Sequence, residues 1–337
     1  MKSPDNLRYI TLAQIVGCAL VVLGHSFPFV TKYPVGGVIS IQFLYAFHMP
    51  LFVWCSGFLF AHTCQTLRKP FGSYVRQRTV RLLTPYVVLS LVGLVPKMLA
   101  ASVLNDTLEM DGAQIVRAFL VPREGVWGHF WFLPMILLMG IMGYALDKLV
   151  KGSRKGWMLI TIAAFALSFV RRDALEWFAM NDVLHFFVFY SLGVLCCRYG
   201  IKMKAKPLLW AAAMGCAALA LTLFFCINGS AAVVHVRNTA IACLMTAAIV
   251  SLCKLAEGRC SIERTSPIAQ TYQIFILSWP CQLVVGIVIE RILHLSWMVF
   301  VPTVFVSGIV LPLLLLRLVD LFEKKTNTRM LSFVLGR

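Results

Sequence analysis

Apolar segments long enough to cross about 30 Å of hydrocarbon recur along the whole chain. A soluble domain carries about 25% charged residues, whereas this chain is 13% charged and 60% hydrophobic. The sequence therefore predicts an all-α, polytopic membrane bundle of about ten transmembrane helices, and excludes a soluble enzyme, a secreted disulfide scaffold and a disordered tail. The predicted spans lie near 9–30, 38–62, 82–104, 128–149, 157–171, 180–197, 207–227, 238–254, 267–290 and 296–316.

The basic residues are distributed unevenly between the two sides of these spans. If the amino terminus is cytoplasmic, most of the 31 Lys and Arg fall in cytoplasmic segments and the net charge of +17 is concentrated there. This is the positive-inside pattern of membrane proteins, so the charge does not indicate a nucleic-acid partner. We expect a multi-pass protein of the inner (plasma) membrane with both termini in the cytoplasm, folded as a single domain over 1–337 with no appended soluble domain.

Histidines are the main ionisable residues predicted to lie at membrane depth. His25 falls in the outer part of the first span, His48 near the middle of the second, and His129 at the outer start of the fourth. Because the first two spans are joined by a short connection, we expect them to be neighbours whose imidazoles face one cavity. Each histidine alone has a structural alternative, a hydrogen bond to a backbone carbonyl. Two on adjacent helices favour function, since imidazole titrates near neutrality and suits a general base.

Five short motifs carry a resemblance to a known family. The chain resembles the acyltransferase 3 family of integral-membrane acyltransferases, and the second motif resembles most closely its fucose 4-O-acetylase-like branch. Each motif is weak alone, but their order and spacing together are specific and cover almost the whole chain. The motifs are LVVLGHS at 20–26, FHMPLF at 47–52 with SG at 56–57, RTVRLLTPY at 78–86, HFWFL at 129–133 and TYQIFILSWP at 271–280.

The resemblance implies the reaction and its site. Such enzymes move an acyl group, usually acetyl, from acyl-coenzyme A to a hydroxyl of a sugar or cell-surface glycan, with a histidine as general base. His25 matches the catalytic histidine, and His48 is the candidate for stabilising the oxyanion. We expect the acceptor site to include Trp131, His129 and Ser278. The acyl donor acetyl-coenzyme A is the expected co-substrate, and no metal site is visible.

The arginines before the third span are the expected donor site. Arg78 and Arg81 match the family's R-x-x-R motif, and Arg76 is close by. Residues three apart share a helix face, and guanidinium groups bind phosphate bidentately, as the phosphates of coenzyme A require. The alternative is that topology alone places these basic residues in a cytoplasmic segment.

Three positions depart from the family pattern. Thr11 and Gln14 stand where the family usually has Asp and Arg on the first helix, and Ser278 stands where it often has a histidine. These departures leave open a catalytically silent family member. A bundle of ten helices also leaves open a non-enzymatic transporter of a glycan or lipid. The acceptor sugar, the length of the acyl group and the oligomeric state cannot be read from the sequence.

Overall fold

The computed structural model is helical throughout its described residues, which contain no strand. These residues are 7–27, 35–67, 70–99, 112–170, 175–200, 207–224, 230–259, 266–293 and 296–337. The α-helices are α1 (Arg8–His25), α2 (Val35–Leu67), α3 (Phe71–Leu99), α4 (Gly112–Leu120), α5 (Phe132–Leu149), α6 (Arg154–Leu167), α7 (Met180–Tyr199), α8 (Pro207–Phe224), α9 (Ala231–Ala256), α10 (Thr271–Ile287), α11 (Trp297–Thr326) and α12 (Met330–Val334).

Each of the ten predicted apolar runs overlaps one of these helices, and seven helices of the described chain are long and apolar enough to cross a membrane. Shorter apolar segments occupy α8 and α10, and α6 has 14 residues. The all-helical multi-pass fold is confirmed, whereas the count of ten spans and the sidedness of the termini stay predictions. The seven segments are Arg8–His25, Ile41–Thr63, Phe71–Val95, Gly128–Leu149, Trp177–Tyr199, Ala231–Ala256 and Met298–Thr326.

Two helix boundaries differ from those expected. Helix α3 begins at Phe71, directly after Pro70 and eleven residues before the predicted span. Proline is favoured at the start of a helix and disfavoured inside one. Helix α11 continues to Thr326, beyond its apolar run, and ends before Asn327, whose backbone is left-handed with φ of 52°.

The segment between the third and fourth predicted spans also contains regular structure. Its described part holds α4 and a 3-10 turn at Pro122–Glu124, and a second 3-10 turn, Gly128–Trp131, precedes α5. The Trp127 indole donates a hydrogen bond to the Leu89 carbonyl of α3 at 2.8 Å. This segment is therefore fixed to α3. Residues 100–111 lie outside the described chain.

The chain divides into two compact units. Unit 1 comprises Met1–Cys55 and Gly200–Leu318, and unit 2 comprises Ser56–Tyr199 and Val319–Arg337. The prediction of one domain over the whole chain stays a prediction, and we describe each unit by itself.

In unit 1, α1 is packed against α2, α9 and α10. Gly17 lies against Phe52 of α2, and Gly24 against Leu44 and Tyr45, so the two helices run antiparallel. Helices α1 and α2 are therefore neighbours, as the short connection between the first two spans predicts. This packing brings the end of α1, where His25 lies, beside the part of α2 that holds His48.

In unit 2, α7 packs against α5 and α6, and α3 packs against α5. A Cβ at Gly57 would lie 2.0 Å from the backbone oxygen of Tyr190, so only glycine permits this approach of α2 to α7. An ion pair joins α5 to the end of α7, with Arg198 Nη1 2.5 Å from Asp147 Oδ1. The buried Trp157 of α6 donates to the same carboxylate oxygen at 2.9 Å. The three helices are therefore tied at one end.

Candidate active site

His25 is the last residue of α1 and lies among aromatic side chains. Its ring meets the Trp279 ring of α10 edge-on, with centroids 4.9 Å apart. The Tyr45 hydroxyl of α2 donates to the carbonyl of Gly24, the residue before His25, at 3.1 Å. The imidazole is half-buried, so its position is defined by α1, α2 and α10 together.

His48 lies one turn along α2 from Tyr45 and is buried. The two rings are in edge-on contact with centroids 5.0 Å apart. His48 Nδ1 lies 2.8 Å from the Leu44 carbonyl oxygen. Because a carbonyl can only accept, Nδ1 carries the proton, and neutral His48 presents an unprotonated Nε2.

Few carboxylate side chains are among those that the structure describes in unit 1. Among the described side chains of unit 1, Glu257 at the end of α9 is the single Asp or Glu. No group of three or more His, Cys, Asp or Glu in the described chain is arranged to hold a metal ion.

Ser278 belongs to unit 1 and is fully buried in α10. Its hydroxyl donates to the Phe275 carbonyl one turn earlier, at 3.0 Å. Thr11 is likewise buried, and its hydroxyl bonds back to the Leu7 carbonyl at 3.4 Å. At two of the positions that depart from the family pattern, the hydroxyls that replace ionisable groups are therefore bonded within their own helix.

The three predicted donor-site arginines lie in unit 2, on the first turns of α3. Arg78 is half-buried: its guanidinium lies 5.2 Å from the centre of the Tyr74 ring and covers Gly140 of α5, where a Cβ would come within 2.9 Å of Nη1. Arg81 and Arg76 are exposed. Since a helix turns 100° per residue, Arg81 projects near the Arg78 side, whereas Arg76 projects away from it.

His129 and Trp131 also lie in unit 2, in the 3-10 turn before α5. His129 is buried, with its ring 4.5 Å from that of Phe130. Trp131 stacks on Phe186 of α7, with centroids 5.7 Å apart and an interplanar angle of 22°. The indole is thus packed in a defined orientation at the start of α5.

Arg123 and Asp182 form a charged pair beside Trp131. The Arg123 guanidinium lies 4.2 Å from the centre of the Trp131 ring. It also binds the buried Asp182 carboxylate with two nitrogens, at 3.0 Å from Nε and 2.5 Å from Nη2. The two residues are 59 positions apart in the sequence, which carries no local signal for this pairing.

The comparison with protein families gives the class of the protein. The chain belongs to the acyltransferase 3 family, whose model, described as an acyltransferase domain, matches residues 7–317. No curated protein and no solved structure matches the chain. Family membership and the apolar helices together make it a multi-pass membrane acyltransferase. The resemblance drawn from the five motifs is confirmed at the level of the family.

Proposed function

We propose that the protein is an O-acyltransferase that moves acetyl from acetyl-coenzyme A to a hydroxyl of a sugar or cell-surface glycan, with His25 as general base. The observation that carries the proposal is the placement of two imidazoles where α1 packs against α2. His25 lies at the end of α1 against Trp279, and His48 lies on α2 against Tyr45. Imidazole suits the deprotonation of a hydroxyl near neutral pH.

The reaction requires one proton acceptor and one stabiliser of negative charge. His25 takes the proton as the hydroxyl oxygen attacks the thioester carbonyl carbon. The C–O bond forms, the C–S bond breaks, and the proton passes to the leaving thiolate of coenzyme A. His48 serves the oxyanion only as an imidazolium donating from Nε2, because its Nδ1 proton is bonded to Leu44.

Arg78, Arg81 and Arg76 are the proposed ligands of the coenzyme A phosphates. The exposed guanidinium of Arg81 supplies a bidentate phosphate ligand on the Arg78 side of the helix,. Arg78 is positioned by Tyr74 and Gly140. Arg76 projects from another side of α3 and contributes charge.

The remaining assignments concern the acceptor and the membrane. We propose that His129, Trp131 and Ser278 belong to the acceptor side of the reaction. The packing of Trp131 between Arg123 and Phe186 supports a fixed aromatic wall. We further propose ten spans with both termini in the cytoplasm of a cell with an inner membrane, and membership of the fucose 4-O-acetylase-like branch. The distribution of Lys and Arg along the sequence supports the orientation.

Donor binding is the first test, because it needs no acceptor. We expect acetyl-coenzyme A at about a hundred times its Kd to stabilise the detergent-purified protein by about 2.7 kcal/mol, measured as a rise in Tm. The double variant Arg78→Ala/Arg81→Ala is expected to lose the rise. The control Lys324→Ala/Lys325→Ala removes the same charge from exposed residues at the end of α11 and should keep it.

Acyl transfer is the second test. Radiolabelled acetyl is followed from acetyl-coenzyme A into glycans of membranes from the source cells. His25→Ala should abolish incorporation without lowering Tm. If wild type and His25→Ala bind the donor but transfer no acetyl to any acceptor, the silent alternative replaces the proposal. If neither binds the donor and the protein melts cooperatively, transport without acyl chemistry replaces it.

A further inference from the structure

Gln282 is a fully buried carboxamide inside the apolar run of α10. Its Nε2 donates to the Val22 carbonyl at 2.8 Å and to the Ser26 hydroxyl at 3.0 Å, both at the end of α1. It also lies 3.5 Å from the Val304 carbonyl of α11. Since carbonyl oxygens can only accept, Nε2 must face them, and the amide orientation is fixed. One side chain thus joins α1, α10 and α11 within unit 1.

These contacts surround His25 along the chain. Val22 precedes His25 by three residues and Ser26 follows it directly, so Gln282 is bonded on both sides of the histidine. Trp279, which contacts the imidazole, lies three residues before Gln282 on α10 and therefore on the same side of that helix,. Helix α10 therefore contacts the His25 ring through Trp279 and the last turn of α1 through Gln282.

Gly308 of α11 brings the third helix into the same contact. A Cβ at this glycine would lie 2.7 Å from Val22 Cγ1 and 2.7 Å from Gln282 Cγ. The backbone of α11 is therefore in close contact with both Gln282 and Val22, which are joined by the hydrogen bond. The end of α1 is in this way held in position by α11 and by Gln282.

The carboxamide is not required to satisfy its partners. Ser26 Oγ already donates to the Val22 carbonyl at 2.9 Å, so both groups keep a hydrogen bond if Gln282 is replaced. Gln282 Oε1 is buried and has no hydrogen-bond partner among the described residues, and an unsatisfied buried acceptor destabilises a fold. An apolar side chain of similar length would remove this unsatisfied oxygen and create no other.

We propose that Gln282 is a positioning residue for His25: by fixing the last turn of α1 against α10 and α11, it sets where the imidazole lies. The inference rests on the proposed role of His25 as general base. It explains why a polar group with an unsatisfied oxygen occupies the core of an apolar helix. Small misplacements of a catalytic group lower the rate strongly, whereas they change donor binding little.

The test replaces Gln282 by methionine, with Thr222→Val as the control. Thr222 is another buried residue of unit 1, whose hydroxyl bonds back to the Ala218 carbonyl of its own helix α8. For Gln282→Met we expect a Tm equal to or above that of wild type. We also expect a kcat for acetyl transfer that falls about tenfold or more, a KM for acetyl-coenzyme A within about twofold, and a shifted midpoint of the pH–rate profile. The control should match wild type in each.

A merely structural role predicts the reverse. A lowered Tm with kcat and the pH midpoint unchanged would overturn the inference. Ser26→Ala is expected to lower kcat less than Gln282→Met, and the two changes should be non-additive in the double variant, because they act on the same turn. Additive effects would contradict a shared action through His25.

Two further measurements separate this inference from the proposed function. His25→Ala is assayed beside Gln282→Met: if His25→Ala is inactive but Gln282→Met is as active as wild type, the positioning role is wrong and the general base stands. If His25→Ala is as active as wild type, both fall. Independently of activity, the His25 imidazole signal in 13C-histidine-labelled protein should move in Gln282→Met and stay in Thr222→Val. A signal that does not move overturns the inference.

Discussion

The end of α1 in unit 1 and the start of α5 in unit 2 both hold candidate site residues, but different forces hold them. Around His25 the contacts are hydrogen bonds between neutral groups and ring edges, made by Gln282 and Trp279. Around Trp131 they are a charged pair, Arg123 with the buried Asp182, and a ring stack. Contacts with neutral groups leave the His25 imidazole able to take up and release a proton. The ion pair instead favours the charged forms of Arg123 and Asp182. The comparison favours proton transfer in the first region and a rigid wall in the second.

The close approach of α2 to α7 at Gly57 gives the largest expected effect. Gly57→Ala in unit 2 would place a Cβ 2.0 Å from the Tyr190 backbone oxygen, which has no side-chain freedom to move away. We expect a loss of about 3 kcal/mol or more, seen as a markedly lower Tm. The control Gly72→Ala has no atom within 4 Å and should be neutral. A Gly57→Ala protein that melts like wild type would contradict the packing of α2 on α7.

For the charged pair, removing the arginine should destabilise the protein more than removing the charge of the aspartate. Arg123→Met leaves the Asp182 carboxylate, 3% exposed, without its cation, and should cost about 2–4 kcal/mol, less than a fully buried pair because Arg123 is half-exposed,. Asp182→Asn leaves an arginine that reaches water and should cost about 1 kcal/mol. Thermal melting should show the double variant more stable than Arg123→Met alone. Equal costs for the two single variants would mean that the carboxylate is hydrated.

The corresponding change in unit 1 is Gly308→Ala. Here the new Cβ meets the flexible Gln282 side chain and a valine methyl, each at 2.7 Å, instead of backbone. We expect about 1–3 kcal/mol and, in contrast to the unit 2 variants, a lowered kcat with KM for acetyl-coenzyme A unchanged. Melting and transfer kinetics on the same preparation measure both. If Gly308→Ala lowers the Tm but leaves kcat unchanged, the packing of α11 does not contribute to the positioning of His25.

The sequence predicted the helices better than their contacts. Apolar runs locate helices because burial in lipid requires them, and Pro70 and Asn327 set two ends that hydropathy missed. Arg123 and Asp182, distant along the chain, carried no local signal for their pairing. Gln282 does carry a sequence signal, because a polar amide inside an apolar span is expected to bond between helices.

The exposed ion pair of Arg117 with Glu124 in unit 2 gives the smallest expected effect. Arg117 Nε lies 2.6 Å from Glu124 Oε2, and this hydrogen bond lowers the pKa of the Glu124 carboxyl below its ordinary value. A carboxyl whose pKa is lowered by folding stabilises the protein above its unfolded pKa, and the contribution disappears as the pH falls through the lowered value. Because both side chains are about half exposed, water and salt screen the pair. Arg117→Gln should therefore lower Tm by about 1 °C or less at neutral pH and low salt, with no difference from wild type at pH below the lowered pKa or in concentrated salt. A difference that persisted in acid or in salt would show that Arg117 stabilises unit 2 by packing, and would remove the contrast between this surface pair and the buried Asp182.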